Sequence, residues 1–132
     1  MSHLLTKSQE NLQAAQILKN RSLFASSIHC SYYSCVQLMK HTLMQKMNKT
    51  SDEIDTESNG EGSHQWLIKE IFNILFFDKN DWNTANNFNI GVNELKKLRM
   101  KADYKNKLIV ASDSQNGIEK ANNTNSILNT IL

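Results

Sequence analysis

The residues best suited to chemistry are concentrated between positions 94 and 107, where Arg99, Asp103 and Tyr104 lie close together. Arg99 and Asp103 are four positions apart, so in a helix their side chains share one face. The plainest interpretation is a local ion pair at an exposed helix end, worth about 0.3–0.5 kcal/mol. The alternative is RNA binding, since an arginine can contact phosphate and a nearby ring can stack on an unpaired base. The residues alone leave both interpretations open.

Charge is distributed unevenly along the chain, although the formal net charge is only +2. Residues 50–62 carry five acids and no base, a pattern typical of a solvated surface. Residues 94–107 carry six bases against two acids, namely Lys96, Lys97, Arg99, Lys101, Lys105 and Lys107 against Glu94 and Asp103. If this basic segment binds phosphate, we expect Lys96 and Lys101 to assist Arg99.

A second group of candidate residues lies on a long segment, 21–47, that reads as one helix about 40 Å long at ~1.5 Å per residue. Its apolar residues form two stripes, which indicates neighbours on two sides and therefore a central helix. Tyr32 and Tyr33 point about 100° apart, so one can enter the core while the other borders a groove near His29. A buried tyrosine hydroxyl needs a partner, which Arg99 or Asp103 could supply.

The fold predicted around these residues is all-α, an up-and-down bundle of four to five helices with a long central second helix. The chain has no proline, and its apolar residues recur with a period near 3.6. The first helix is predicted over 4–18 and the second over 21–47. The third begins after a cap at Ser63, and the fourth carries an apolar stripe from Phe88 to Ala102. The last begins at a capping box of Ser112 and Gln115 and has Leu128 and Leu132 on its apolar face. Residues 1–132 form a single domain in this prediction, with 48–62 as a long acidic loop and 78–87 as a turn.

Several classes of site are absent from the sequence. There is no glycine-rich phosphate loop, no HExxH pattern and no nucleophile elbow. Cys30 and Cys35 fall on different faces of one helix, which predicts two free thiols and no mutual disulfide. No cofactor or metal site is therefore predicted. No apolar run is long enough to span a bilayer and the first residues lack a signal-peptide pattern, so we expect a cytoplasmic protein.

Three short blocks of the sequence together resemble the HEPN family of helical domains. The first block, Ile28 to Ser34 on the second helix, contains small residues and a tyrosine pair. The second block is Ser63-His64, which opens the next helix. The third block closes the fourth helix and consists of Arg99, two intervening residues and Ala102-Asp103-Tyr104. Each block is short, but their order and spacing match the family over about residues 5 to 128. The branch with this Arg-x-x-Ala-Asp-Tyr motif is often paired with minimal nucleotidyltransferases.

The resemblance implies a cytoplasmic homodimer associated with RNA or a nucleotide, and partnered with a small nucleotidyltransferase in a toxin–antitoxin-like system. It implies that Arg99 contacts phosphate, that Asp103 fixes the arginine rotamer, and that Tyr104 stacks or donates a hydrogen bond. Tyr33 and His29 would lie in the same groove, with Lys96 and Lys101 beside it. Ribonuclease members of the family have a histidine a few residues after the arginine, whereas no histidine follows His64 in this chain.

Three functional hypotheses remain open at this point. The first is a non-enzymatic or weakly active binding module, in which Arg99→Ala should weaken binding and leave the melting temperature nearly unchanged. The second is a metal-independent ribonuclease toxin that uses Arg99, Asp103 and Tyr104, with His29 or His64 brought close by folding or dimerisation. Asp103 paired with Arg99 would itself be a weak base. The third is a helical adaptor with no nucleic-acid role.

Overall fold

The structure is a computed structural model that describes residues 2–58 and 63–132, with the backbone alone at Ser63. Within those ranges the regular structure is helical throughout, and the chain is an up-and-down helical bundle. The helices are α1 (Leu4–Asn20), α2 (Phe24–Met47), α3 (Ser51–Ser58), α4 (Ser63–Asn73), α5 (Trp82–Tyr104) and α6 (Ala111–Asn129), and a π-helix (Ile74–Asp78) extends α4. The predicted fold class is confirmed, with six α-helices where four to five were expected. No helix in the described part of the chain is long and apolar enough to cross a membrane.

The second helix is central, as its two apolar stripes predicted, because α2 contacts each of the other five α-helices. It begins at Phe24, three residues later than predicted, since Ser22 adopts a left-handed backbone (φ 61°) between α1 and α2. Ile28, Tyr32 and Met39 are fully buried along it. Its serines Ser27, Ser31 and Ser34 are also fully buried, so small side chains let the neighbouring helices approach closely.

The predicted acidic loop at 48–62 is wrong for residues 51–58, which form α3. A reciprocal cap stabilises its start: the amide of Glu53 donates to Thr50 Oγ1, and the amide of Thr50 donates to Glu53 Oε1, each at 3.2 Å. Ile54 anchors the helix because its side chain is only 1% exposed. Lys40 Nζ on α2 lies 2.6 Å from Asp55 Oδ1, and Lys49 pairs with Glu57. The acidic side chains therefore face solvent or lysines while one isoleucine enters the core.

Two other helix starts differ from the prediction. Residues 82–87 belong to α5 instead of a turn, because Asp81 caps the helix by accepting from the amide of Thr84 at 3.1 Å. At α6 the cap comes from Asp113, whose carboxylate accepts from the Val110 amide at 3.0 Å, and not from the predicted Ser112–Gln115 box.

The far end of α6 also differs in detail. Ile131 is buried and Leu132 is exposed, the reverse of the predicted apolar face, because the helix ends at Asn129 and the last residues no longer follow its period. The predicted capping side chain of Ser63 lies outside the described residues, so the start of α4 has no cap to report.

Candidate functional site

Three helix segments meet at one end of the bundle and bring together the residues that the sequence singled out. They are the first half of α2, the first turn of α4 and the last turns of α5. We call the side chains gathered there the Arg99 cluster: Arg99, Asp103 and Tyr104 from α5, His29, Tyr32 and Tyr33 from α2, and His64 from α4. Six of these seven residues were named as site candidates or possible partners from the sequence; Tyr32 was expected in the core.

Arg99 is the centre of this cluster and is buried, with 8% of the residue exposed. Its Nη2 donates to the hydroxyl of Tyr33 at 2.8 Å and to the hydroxyl of Tyr104 at 3.1 Å. Its Nε lies 3.0 Å from Asp103 Oδ2 in an ion pair, although the N–H does not align as a hydrogen bond. The interpretation as an exposed surface pair is therefore wrong: the four-residue spacing does form the ion pair, but tertiary packing buries the guanidinium.

Aromatic rings surround the guanidinium on several sides. The Cζ of Arg99 lies 5.4 Å from the ring centroid of Tyr32, 5.3 Å from that of Tyr33 and 5.0 Å from that of Tyr104. Each distance is within the range of a cation–π attraction, which strengthens where water is excluded. Tyr104 itself is 64% exposed and therefore accessible to a ligand.

His29 joins the cluster from α2 and lies beside Asp103. Its Nδ1 is 2.8 Å from Asp103 Oδ2, and its ring packs against that of Tyr33 with centroids 4.6 Å apart. An ionised carboxylate only accepts hydrogen bonds, so this contact places the proton on Nδ1. In the neutral ring the opposite nitrogen, Nε2, would then carry the lone pair, on a side chain that is 49% exposed.

His64 lies on the inner side of the cluster. Its Nδ1 is 3.0 Å from the hydroxyl of Tyr32, and Tyr32 is fully buried. Burial lowers the pKa of His64 from its ordinary 6.5, and the nearby charges of Arg99 and Lys96 lower it further. Burial also raises the pKa of Tyr32. A neutral imidazole that accepts from a neutral phenol accounts for this pair.

The two lysines predicted to assist Arg99 lie in different places. Lys96 is one turn before Arg99 on α5, and its Nζ donates to Gln65 Oε1 at 3.3 Å, next to His64. Lys101 instead faces α6, where its Nζ lies 3.7 Å from Asp113. Lys96 therefore borders the Arg99 cluster and Lys101 does not, because two residues beyond Arg99 a helix has turned about 200°.

The cysteines and the remaining donor groups give little sign of metal chemistry. Cys30 and Cys35 are free thiols, and burial raises the pKa of both, with Asp103 contributing at Cys30. In residues 2–58 and 63–132 no three side chains of histidine, cysteine, aspartate or glutamate are grouped so that they could hold a metal ion. The chemistry that the cluster offers is therefore that of a cation, phenols, a carboxylate and imidazoles.

Comparison with protein-family models, with curated proteins and with solved structures found no match to this chain. The resemblance to the HEPN family therefore rests on the sequence blocks, and its functional meaning on the geometry of the cluster. The most informative part of that geometry, His29 beside Asp103, was a secondary candidate in the sequence. The signal that indicated it was the histidine one turn before the tyrosine pair.

Proposed function

We propose that this chain is an HEPN-like module that binds RNA at the Arg99 cluster. The observation that carries the proposal is a buried guanidinium that holds three tyrosine rings and a carboxylate at a point where two of the cluster's side chains reach solvent. Burying a charge is costly, and apolar residues can often stabilise a core as well as an ion pair does. A buried arginine that contacts two tyrosine hydroxyls and a carboxylate, with exposed neighbours, is therefore better explained by a ligand than by stability alone.

The ligand that suits these groups is a single-stranded polyanion with bases. Tyr104 is exposed and can stack on an unpaired base, and stacking of this kind is worth about 1–3 kcal/mol per base. The Tyr33 hydroxyl, the guanidinium and Lys96 offer donors and positive charge to a phosphate. Arg99 acts mainly through its charge and by orienting the two phenols, because its Nη2 is already engaged by both hydroxyls.

We infer in addition, from the sequence resemblance, that the chain forms a homodimer and that its protein partner is a small nucleotidyltransferase. Leu108 and Val110 are exposed in the segment between α5 and α6, which is compatible with an interface there. The mass of the purified chain in sedimentation equilibrium tests the dimer. Co-purification with a nucleotidyltransferase encoded beside it tests the partner.

RNA binding is tested by fluorescence polarisation of a labelled single-stranded RNA over a series of salt concentrations. Two matched variants each remove one lysine from α5: Lys96→Ala borders the cluster, and Lys101→Ala faces α6. We expect Lys96→Ala to weaken binding and to reduce the slope of log K against log salt by about 0.7, the value for one phosphate contact on a single strand. Lys101→Ala should bind as the wild type does.

Equal losses in the two variants would indicate non-specific attraction to positive charge and would count against a site at the cluster. No salt-dependent binding by the wild type would favour the helical adaptor with no nucleic-acid role. A preference for duplex over single-stranded RNA would contradict the role given to Tyr104, because stacking requires an unpaired base.

A further inference from the structure

We propose that a second copy of this chain docks on an exposed aromatic face, formed by Phe72, Phe76, Phe77 and Trp82, at the end of the bundle away from the Arg99 cluster. This inference rests on the homodimer of the proposed function and assigns it a contact surface, but it does not require RNA to bind. Trp82 begins α5 and Arg99 lies near the end of that helix. At ~1.5 Å per residue, about 25 Å of helix therefore separates the two regions.

The aromatic face exposes two large rings beside two that reach the core. Phe77 is 69% exposed and Trp82 is 61% exposed. Both contact Phe76, whose ring stacks on Trp82 with centroids 5.7 Å apart and meets the ring of Phe77 edge-on at 4.9 Å. Phe72 stacks on Phe76 in turn, and these two rings pack against the core. Single exposed apolar residues are ordinary, whereas a contiguous patch of rings indicates a binding surface.

The backbone under the aromatic face is held in place by hydrogen bonds. Two of the four rings belong to the π-helix, where the amide of Lys79 donates to the Ile74 carbonyl at 3.0 Å. The turn that follows is tied back because the amide of Asp81 donates to the Leu75 carbonyl at 3.0 Å, while the Asp81 carboxylate caps α5. A surface that is already ordered loses little conformational freedom when a partner binds.

A groove lies directly beside Phe77, so the same surface carries both a projecting ring and a recess. The groove has a volume of about 300 Å³, and Met47 from the end of α2 and Ile74 contribute its apolar lining. This volume is near the lower limit for pockets that hold whole small molecules, so it has room for an aromatic side chain. A two-fold contact presents the same patch twice, so a ring of each copy can enter the groove of the other. Projection and recess on one face therefore favour a second copy over an unrelated partner.

The charges around the aromatic face favour the same partner. Lys46, Glu70 and Asp78 line the groove, and Lys79 and Asp81 line a second recess beside the same π-helix. Because both signs are present, a two-fold arrangement can place lysines of one copy opposite carboxylates of the other. Three carboxylates near the rings would repel phosphate, so these rings are poorly placed to stack on the bases of RNA.

Sedimentation equilibrium of the full chain over a wide range of concentrations tests the contact. We expect the wild type to dimerise and Phe77→Glu to raise the dissociation constant at least about 30-fold, the size of effect typical of a residue at the centre of an interface. The side chain of Phe77 is mostly in solvent, so the variant should fold, which circular dichroism checks. The matched control is Leu108→Glu, which places the same charge on an exposed apolar residue between α5 and α6 and should dimerise as the wild type does.

Trp82 provides a second measurement that needs no substitution. The chain's other tryptophan, Trp66, is buried, so a change of tryptophan emission with protein concentration reports on Trp82. We expect the emission to shift to shorter wavelength and acrylamide quenching to weaken as the dimer forms. In Phe77→Glu the emission should be independent of concentration over the same range.

The outcomes separate this inference from the proposed function. A wild type that stays monomeric would overturn both the aromatic face and the homodimer. A folded Phe77→Glu that still dimerises, or loss of the dimer in Leu108→Glu, would overturn the assignment of the face and keep the homodimer. Phe77→Glu should bind a short labelled RNA as the wild type does, and weakened binding would contradict the separation of the two regions. Dimerisation through the face by a wild type that binds no RNA would support this inference and overturn only the RNA-binding proposal.

Discussion

Two buried polar regions of the bundle differ in where their hydrogen bonds lead. In the first, which we call the serine network (Ser8, Ser27, Ser34, Ser114 and Asn125), side chains link α1, α2 and α6 and are at most 8% exposed. In the Arg99 cluster, bonds that begin at a buried guanidinium lead to side chains at the surface. Burial of polar groups is therefore not by itself a sign of function. A chain of hydrogen bonds that runs from a buried group to exposed side chains is the more informative sign.

The chemical identity of the groups separates the two regions further. Ser27 Oγ donates to the Ala15 carbonyl at 2.7 Å, and Ser8 and Ser34 exchange hydroxyl-to-carbonyl bonds at 2.7 and 2.8 Å. These neutral bonds let helix backbones pack closely at low cost. The Arg99 cluster instead holds groups that change charge or carry it, which serve a charged ligand better than a helix contact.

The largest expected effect on stability comes from replacing a buried serine of the serine network by a large side chain. Ser27→Leu places a large side chain at a fully buried position and removes the bond to Ala15, so we expect the free energy of unfolding to fall by about 2–4 kcal/mol. Urea unfolding followed by circular dichroism measures the change. The matched control is Ser26→Leu at the exposed neighbouring position, with an expected change within about 0.5 kcal/mol. Equal stabilities for the two variants would contradict the close packing of α1, α2 and α6.

The next largest effect is expected for Arg99→Ala, which should distinguish the Arg99 cluster from the serine network because it should affect RNA binding as well as stability. Arg99→Ala removes one partner of a largely buried ion pair and two bonds to tyrosines, so we expect a loss of about 2–3 kcal/mol together with weakened RNA binding. The expectation from the sequence that stability would be nearly unchanged is thus replaced, because it assumed an exposed side chain. Arg21→Ala changes the chain's other arginine, which is exposed, and should alter neither property.

Retained binding with reduced stability in Arg99→Ala would assign this region the same structural role as the serine network. Arg99→Lys sharpens the comparison, because lysine keeps the charge but lacks the planar fork that contacts two hydroxyls and a carboxylate. We expect Arg99→Lys to be intermediate in stability and to bind RNA less tightly than the wild type. Unfolding in urea and polarisation with labelled RNA measure the two properties on the same samples.

The sequence predicted the fold and most members of the cluster, since both depend on helical periodicity and on residues a few positions apart. The central position of α2 and the entry of only one of the two tyrosines into the core are confirmed. Helix α3 was missed because it has eight residues and a single apolar side chain, and one apolar residue cannot show a helical repeat of hydrophobicity. The burial of Arg99 and the contact of His29 with Asp103 depend on how α2 and α5 cross, which local patterns do not contain.

Asn125 is a second example of a residue whose role depends on a tertiary contact that local sequence patterns do not contain. Considered by itself, Asn125 is unfavourable for α6, because asparagine is a poor helix former. In the structure its Nδ2 donates to Ser34 Oγ at 3.0 Å and joins α6 to α2. A residue that is unfavourable for a local helix can therefore be favourable for packing, and only the tertiary partner decides between the two.

The smallest expected effect is a pH dependence of stability at the edge of the Arg99 cluster. His64 has a lowered pKa in the folded chain, so the unfolded chain binds its proton more strongly. The contribution of His64 is therefore fully present above its ordinary pKa of 6.5 and is lost as the pH falls from there through the lowered folded-state pKa. We expect the urea midpoint of the wild type to fall between pH 7.5 and 5.5.

The variant His64→Phe isolates this contribution from the other histidines and the carboxylates, which titrate in both proteins. The phenyl ring keeps the packing against Tyr32 and Tyr33 but carries no proton, so its midpoint should fall less over the same pH range. An equal fall would mean that His64 is not held neutral by burial, Arg99 and Lys96. The serine network provides the internal contrast: Ser34→Ala removes a hydroxyl that does not titrate, so it should lower stability by the same amount at both pH values.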